Sequence, residues 1–258
     1  MNILITGATN GIGEDLAKTL AYLGYNVYAC CHTDKELELK NKNNVNNLKY
    51  IKFDITDKED YKNIDKYNID ILVNQAGICV GGSFLDLEQE KLEENFKINV
   101  FSTIRLTKYF IDYCYSNDKK GKVLVTSSLI DGVPTCFLGA YSLTKCSLTM
   151  FTKILKKELK KSCVDVSIKL IRPGAYKTGF NQLMIDDITP SKYFRDSNKI
   201  HRIYRILFDI LEKKNNRTVV NKMVSAIKDN SNRLIYSAPF TQNIPVKIYK
   251  VISTILEK

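Results

Sequence analysis

Long apolar runs are missing from this sequence. No stretch of its 258 residues approaches the ~18–20 consecutive apolar positions that a membrane-spanning helix needs. The opening Met1-Asn2-Ile3-Leu4-Ile5 has no basic leader, long apolar core or cleavage site, so no signal peptide is expected. A non-exported, cytoplasmic protein is the expectation. The seven cysteines, Cys30, Cys31, Cys79, Cys114, Cys136, Cys146 and Cys163, are scattered, odd in number and nowhere spaced C-x-x-C. That excludes a zinc framework and argues against a disulfide one. No metal site is expected, and the thiols read as buried and reduced. Internal repeats and Pro-rich or Gly/Ser-rich linkers are also absent, so residues 1–258 read as one domain. With 44% hydrophobic and 26% charged residues, the composition is globular, and a chain of this length buries a full core without staples.

The net charge is +11 and unevenly spread: residues 181–258 hold 14 basic and 7 acidic side chains. Such an end attracts anions, nucleic acid or an acidic membrane surface, or is simply a lysine-rich solvated face. No nucleic-acid motif accompanies it, and nucleic acid is not expected as a partner.

Strand and helix patterns alternate. Strands are expected at Ile3–Thr6, Asn26–Cys31, Tyr50–Phe53, Ile69–Asn74, Lys122–Ser127 and Asp165–Ile171. Helices are expected at Glu14–Leu23, Lys35–Lys40, Lys58–Asp65, Gln89–Tyr115 with a bend near Asn99, and Tyr141–Lys161. Asn41–Asn47 is polar and of low complexity, a surface loop. The order implies an α/β fold, a single-domain Rossmann-like doubly wound parallel sheet with helices on both faces. Ligands in such sheets bind beyond the carboxyl ends of the strands, and each chemically suggestive cluster follows a strand.

The first cluster is Thr6-Gly7-Ala8-Thr9-Asn10-Gly11-Ile12-Gly13. Glycine permits a tight turn and close backbone approach, and the helix N-terminus then offers N–H groups and a positive dipole end to a pyrophosphate. Asp54, before Ile55, follows the third strand, where a carboxylate can accept a hydrogen bond from a ligand; Asp57 reads as an N-cap. Tyr141 and Lys145 stand four apart on one helix face. An ammonium beside a phenol, whose ordinary pKa is ~10, favours the phenolate. Alone, such a pair is most often a plain surface feature.

The G-x-x-x-G-x-G spacing, Asn74-Gln75-Ala76-Gly77, Lys97-Ile98-Asn99-Val100, Ser128 placed 13 residues before Tyr141, Lys145, and Pro173-Gly174 with Thr178 occur in one order. In that set the chain resembles the short-chain dehydrogenase/reductase family from Met1 to about Thr178. The stretches around Asn99–Thr107 and Lys122–Ser128 look most like its 17β-hydroxysteroid and retinol dehydrogenase branch. The resemblance implies a dinucleotide held by Gly7, Thr9, Asn10, Gly11, Ile12, Gly13, His32, Asp54, Ile55, Asn74, Ala76, Gly77, Pro173, Gly174 and Thr178, with Tyr141 and Lys145 at its nicotinamide end. It implies hydride exchange with a carbonyl or secondary alcohol. Tyr141 would be the acid/base, Ser128 a hydrogen-bond donor to the carbonyl oxygen, Lys145 the group that lowers the Tyr141 pKa, and Asn99 the holder of a water leading from Lys145. Ser127 lacks the spacing, and strand alternation points it the other way. Gln75, Leu143 and Asp131 depart from the family's usual residues. A homodimer or homotetramer through the helices near 100–115 and 141–160 is also implied.

Within that reading Cys31 stands where an acid would bind a ribose 2′-OH. With no acid there, and His32 where NADP-preferring relatives often have Arg, NADP(H) is favoured over NAD(H), with Lys35 as a helper; Asn10 brings no charge. Residues 179–200 would form a lid, with Phe180, Leu183, Met184, Ile185, Tyr193 and Phe194 either lining a pocket for a hydrophobic alcohol or ketone or packing the lid down. Over 245–257, Val246, Tyr249, Ile252 and Leu256 recur at helical spacing among lysines, which fits a weak membrane-surface contact or a helix packed on the domain or a neighbour. Two other readings remain. A sugar-nucleotide-modifying enzyme shares Tyr-x-x-x-Lys but has other glycine spacing and a longer C-terminal part. A cofactor-sensing regulator would not need Ser128, Tyr141, Lys145 and Asn99 together.

Overall fold

The computed structural model describes residues 1–41, 45–188, 191–246 and 248. Its strands are β1 (Asn2–Ile5), β2 (Asn26–Cys31), β3 (Leu48–Lys52), β4 (Ile71–Asn74), β5 (Gly121–Thr126), β6 (Val166–Pro173) and β7 (Ile235–Ala238). They form one seven-stranded sheet in the order β3-β2-β1-β4-β5-β6-β7, every neighbour parallel. Parallel strands covered on both faces read as unbroken apolar runs. Strand β4, Ile-Leu-Val-Asn, is buried at all four positions.

Period-two alternation sends the strands' side chains to two cores. Ile5, Val73 and Leu124 point to the face covered by α1 (Gly11–Tyr22) and α9 (Arg217–Lys228), meeting Leu16, Leu20, Met223 and Ile227. Leu4, Leu72 and Val123 point to the other face. There Leu106 and Phe110 of α5 (Thr103–Ser116) and Leu148 of α6 (Gly139–Leu159) close the core. The order reverses between β1 and β4, which opens the crevice where such sheets bind ligands.

Helix α2 (Asp34–Lys40) follows β2. The helix expected over Lys58–Asp65 is a 3-10 turn, Glu59–Lys62, running into the single turn α3 (Asn63–Lys66). The long helix expected with a bend near Asn99 is α4 (Gln89–Phe96), a π-helical turn (Lys97–Ser102) and α5. Strand β4 starts at Ile71 rather than Ile69, and α6 starts at Gly139 rather than Tyr141. Beyond the expected elements lie α7 (Phe180–Asp186), α8 (Ser197–Leu211), α9, β7 and a helical stretch over 240–246. The lid expected over 179–200 thus becomes α7 and the start of a helix that runs on to Leu211. Of the expected polar loop Asn41–Asn47, positions 42–44 lie outside the described residues. So do positions 189–190 and, of the C-terminal segment, 247 and 249–257, with Tyr249, Ile252 and Leu256 among them.

The short β7 is held by two buried lysines. Lys169 of β6 donates to Ser231 O at 2.6 Å and Arg233 O at 3.0 Å. Lys122 of β5 donates to Asp229 O and Asn230 Oδ1, both at 3.1 Å. These ammonium groups end the turn between α9 and β7, and burial pushes both below the usual lysine range. Lys169→Met strips two buried carbonyls of a charged donor. It is expected to cost about 2 kcal/mol and lower Tm by about 4–8 °C in a thermal melt; an unchanged Tm would deny the lysine this structural role.

Candidate active site

The glycine turn between β1 and α1 sits on the crevice. Gly7 and Gly11 adopt φ of +63° and +56°. A Cβ on Gly7 would lie 2.7 Å from Ala76 Cα, and one on Gly13 would lie 2.1 Å from Gly7 O. No larger residue fits: at Gly7 the loop after β4 lies against the turn, and at Gly13 the turn folds back on its own backbone. Thr6 Oγ1 joins those loops, accepting from the N–H groups of Gln75 and Ala76 at 3.0 Å each. The Asn10 side chain makes no cap to α1, so the first-turn N–H groups remain available to an anion.

From this turn a cleft of about 610 Å³ runs along the carboxyl ends of the strands. Gly7, Thr9, Asn10, Gly11, Ile12 and Gly13 line one part, with His32, Asp54 and Ile55. Ala76, Gly77, Ser128, Tyr141, Lys145, Pro173, Gly174 and Thr178 line the rest. Two expected site residues do not reach it. Asn74 is buried and donates to Thr107 Oγ1 at 3.0 Å, which turns its amide onto α5 and away from the cleft. Asn99 sits in the π-helical turn with its amide engaged: Oδ1 accepts from Ile78 N at 2.8 Å, and Nδ2 donates to Ile78 O at 2.8 Å and Asn95 Oδ1 at 2.6 Å. Its side chain braces the loop after Gly77. Sequence reasoning missed the buried Asn95, one helical turn before Asn99.

At the first part of the cleft Asp54 accepts from Thr56 N at 2.7 Å and Thr56 Oγ1 at 2.8 Å, and lies 3.4 Å from His32 Nε2. Burial pulls its carboxyl upward, but these partners hold it below the usual carboxylate range. Asp57 accepts from Glu59 N at 2.9 Å, one residue ahead of Lys58, which takes the N-cap position expected of Asp57. Sequence reasoning missed Glu36. Its carboxylate accepts from His32 N at 2.8 Å and Thr33 N at 3.1 Å, closing a capping box with Thr33, and Thr9 Oγ1 lies 3.5 Å away. The Thr-x-x-Glu spacing was the available signal.

At the other part, α6 brings Tyr141 and Lys145 onto the face that meets β5. Lys145 Nζ lies 5.5 Å from the Tyr141 ring centroid and donates to Thr126 O at 3.1 Å. Ser128 and Tyr141 line the cleft together, and the Ser128 hydroxyl favours the ionised phenol. Ser127 points oppositely, donating to Lys145 O at 2.8 Å, with Thr149 Oγ1 2.7 Å away. Phe180 of α7 meets the Tyr141 ring edge-on at 5.7 Å, and Cys79 Sγ lies 3.0 Å from Phe180 O. Burial brings Lys145 down to about 8 and pushes Tyr141 above its usual range, against the pull of the Ser128 hydroxyl. The lowered Tyr141 expected from Lys145 is therefore not found. Desolvation disfavours both charged forms and outweighs an ammonium that is turned toward Thr126 O.

Residues 128–131 are fixed from beneath. Arg172 of β6 pairs with the buried Asp131 carboxylate and donates to Ser128 O and Leu129 O at 3.3 Å each. Asp131 also accepts from Thr149 Oγ1 at 2.5 Å. The glycine that the family often carries at this position is here one end of a buried ion pair. Gln75, the other departure, uses its extra length to accept from Thr126 Oγ1 at 2.7 Å.

A parallel sheet of this order, with its cleft at the switch in strand order, defines a doubly wound α/β protein. The short chain dehydrogenase family is matched over residues 1–188, and the chain belongs to it. The chain is 29% identical over 185 residues to 3-amino-tetrahydro-pyrrolizinone reductase of Xenorhabdus hominickii, covering 69% of this chain and 62% of that protein. To estradiol 17-beta-dehydrogenase 2 of Mus musculus it is 32% identical over 190 residues, covering 68% and 48%. It thus spans between about half and under two thirds of these relatives. Among solved structures, a short-chain dehydrogenase of Streptomyces avermitilis superposes with a TM-score of 0.80 at 18% identity, covering 99% of this chain and 93% of that one. A family member of Burkholderia phymatum in complex with NAD gives 0.80 at 17%, covering 98% and 94%. One of Sphingobium yanoikuyae in complex with NADPH gives 0.71 at 19%, covering 99% and 94%.

Arg172→Met would leave the Asp131 carboxylate buried without its main partner. A loss of about 3–5 kcal/mol is expected in urea denaturation. A loss under about 1 kcal/mol would mean that the pair does not support the loop carrying Ser128.

Proposed function

We propose that the chain is a nicotinamide-dependent oxidoreductase that interconverts a carbonyl and a secondary alcohol. The observation that carries this reading is the grouping of Ser128, Tyr141 and Lys145 on the cleft wall, with Lys145 Nζ 5.5 Å from the Tyr141 ring centroid, at one end of a cleft whose other end is the glycine turn. The cradle fits a dinucleotide: the positions where a Cβ would strike backbone, at Gly7 and Gly13, keep the turn open to a pyrophosphate at the N-terminus of α1. Gly7, Thr9, Asn10, Gly11, Ile12 and Gly13 would hold that pyrophosphate, His32, Asp54 and Ile55 the adenosine, and Ala76, Gly77, Pro173, Gly174 and Thr178 the rest. The bound nicotinamide supplies or accepts the hydride.

The chain's own residues handle the oxygen and its proton. Ser128 donates a hydrogen bond to the carbonyl oxygen and orients it. Tyr141, kept protonated by burial, gives the proton in reduction and takes it in oxidation. Lys145, cationic below about 8, supplies the positive charge that stabilises the phenolate left behind. Asn99 acts as a positioning residue through Ile78. An apolar substrate is supported by Phe180, Phe208, Leu211 and Val246 on the cleft wall, and by the steroid dehydrogenase among the relatives. Exposed Phe101, Tyr115, Leu143, Met150 and Ile154 on the π-helical turn, α5 and α6 support a homodimer or homotetramer through those elements. No helix of the described residues is long and apolar enough to cross a membrane.

Within the cofactor class, the missing acid at Cys31 supports NADP(H) ahead of NAD(H). Glu36 limits that preference, because its carboxylate takes the His32 and Thr33 N–H groups that a 2′-phosphate would use. Glu36→Gln is expected to shift the ratio of Kd values toward NADPH over NADH by about tenfold in fluorescence titrations. An unchanged ratio would remove Glu36 from cofactor choice.

Turnover is tested with NADPH or NADH and a panel of bulky ketones, following loss of the reduced nicotinamide. Tyr141→Phe should lower kcat by about 10²–10⁴-fold with dinucleotide Kd nearly unchanged; retained turnover would defeat the assignment. Because burial lowers the Lys145 pKa, its ammonium is present below about pH 8 and lost above it. Reductive kcat/KM should therefore fall as pH rises through about 8. A profile flat to pH 10 would show that the Lys145 charge is not used.

A further inference from the structure

Helix α8 presents apolar residues on both of its long sides. Its inner side carries Ser197, Tyr204 and Phe208: Ser197 is buried, Tyr204 donates to Cys136 O at 2.7 Å, and Phe208 lines the cleft. Its outer side carries Ile203, Ile206, Leu207 and Ile210, spaced i, i+3, i+4, i+7 and 53%, 54%, 42% and 75% exposed. The solvent side of a surface helix is normally polar. Leu183 of α7, the helix that packs on α8, is exposed too, as are Phe240 and Ile244 of the helical stretch over 240–246. Gln242 Nε2 donates to Leu211 O at 2.7 Å, which joins that stretch to the end of α8. Phe208, Leu211, Pro245 and Val246 from these elements line the cleft.

Charge tells what covers this face. Lys199, Arg202 and Arg205 lie among the isoleucines, and Lys213 and Lys214 follow the helix; all five are exposed. Over residues 197–214 the only acids are Asp209 and Glu212, and Glu212 is buried against the Asn181 and Gln182 amides. A second copy of this chain docking the same face by two-fold symmetry would bring like charges together. Nucleic acid would match the cations and leave the isoleucines exposed. A bilayer with acidic headgroups satisfies both, taking the aliphatic stripe at the acyl boundary and the cations at the phosphates.

We propose that the outer face of α8, with the adjoining stretch over 240–246, docks on an anionic lipid surface and sets the substrate side of the cleft against it. The docking surface stands on exposure and charge alone; only the entry of an apolar substrate from the lipid rests on the function proposed above. The full-length chain is floated with phosphatidylcholine vesicles containing or lacking phosphatidylserine. It should rise with the acidic vesicles, fail to rise with the neutral ones, and be released by salt. The double substitution Ile206→Asp with Ile210→Asp should weaken partitioning at least about tenfold while dinucleotide Kd stays unchanged. Should that variant fail to fold, Arg202→Gln with Arg205→Gln, which leaves the apolar stripe intact, should reduce partitioning to acidic vesicles by a similar factor. The proposal is overturned if the native chain ignores acidic vesicles, or if the folded variants partition as the native chain does. It is also overturned if lipid-free sedimentation finds an oligomer that the isoleucine variant abolishes, which would assign the face to a second copy. Absence of ketone turnover alongside normal vesicle binding would count against the proposed function and leave this proposal standing.

Discussion

The loops that follow β1 and β4 lie in backbone contact, and the cleft exists because of it. Ala76 occupies the space that a Cβ on Gly7 would need. Thr6 Oγ1 satisfies two successive N–H groups of the β4 loop while donating to Val73 O at 3.3 Å. This contact sets the end of the glycine turn, and with it the direction in which the N-terminus of α1 faces. It also fixes where Gly77 leaves β4, and a Cβ on Gly77 would lie 2.9 Å from Asn99 Oδ1 and 3.7 Å from Lys145 Nζ. One close approach at the switch in strand order therefore positions groups at both ends of the cleft. Small residues are required there because the backbones themselves are the packing surfaces.

The second constraint is desolvation. Lys145 and Asp131 are buried near one another's loops, and each is matched differently. Asp131 meets the Arg172 guanidinium and the hydroxyls of Thr149 and Ser127, so its charge is partnered by donors. Lys145 meets one carbonyl and an aromatic face, so burial draws its pKa down toward neutrality. A rigid, charge-compensated support beneath Ser128 and an under-compensated ammonium beside Tyr141 are opposite uses of the same low-dielectric setting. The π-helical turn adds to this by presenting Asn99 to Ile78 from inside a continuous pair of helices.

The elements after β6 follow other rules. Helices α7 and α8 touch the body through few buried side chains, and α8 carries its strongest apolar stripe outward. Their tie to the core is local: Glu212 holds Asn181 and Gln182, and Tyr204 holds the Cys136 carbonyl. Such a cover forms one wall of the cleft without contributing much to the central core, which leaves its outer surface free to serve another purpose.

Much of the molecule follows from local pattern. The six strands up to β6, the helices between them and the kink near Asn99 are visible as apolar periodicity and β-branched runs, because each reflects burial of one segment on its own. Glycine spacing and the Ser128, Tyr141 and Lys145 intervals are likewise legible, since turn geometry and helix pitch act over a few residues. Tertiary structure alone decided the rest. Asn74 turns to Thr107 and Asn99 closes on Ile78 because partners 33 and 21 residues away compete for their amides. Glu36 supplies a carboxylate that the end of β2 lacks because α2 folds back over it. Tyr141 rises instead of falling because burial, a property of the whole packed chain, outweighs a neighbour four residues on. Local sequence sets backbone conformation and side-chain spacing; which polar groups pair, and which charges lose water, is settled only when distant segments meet.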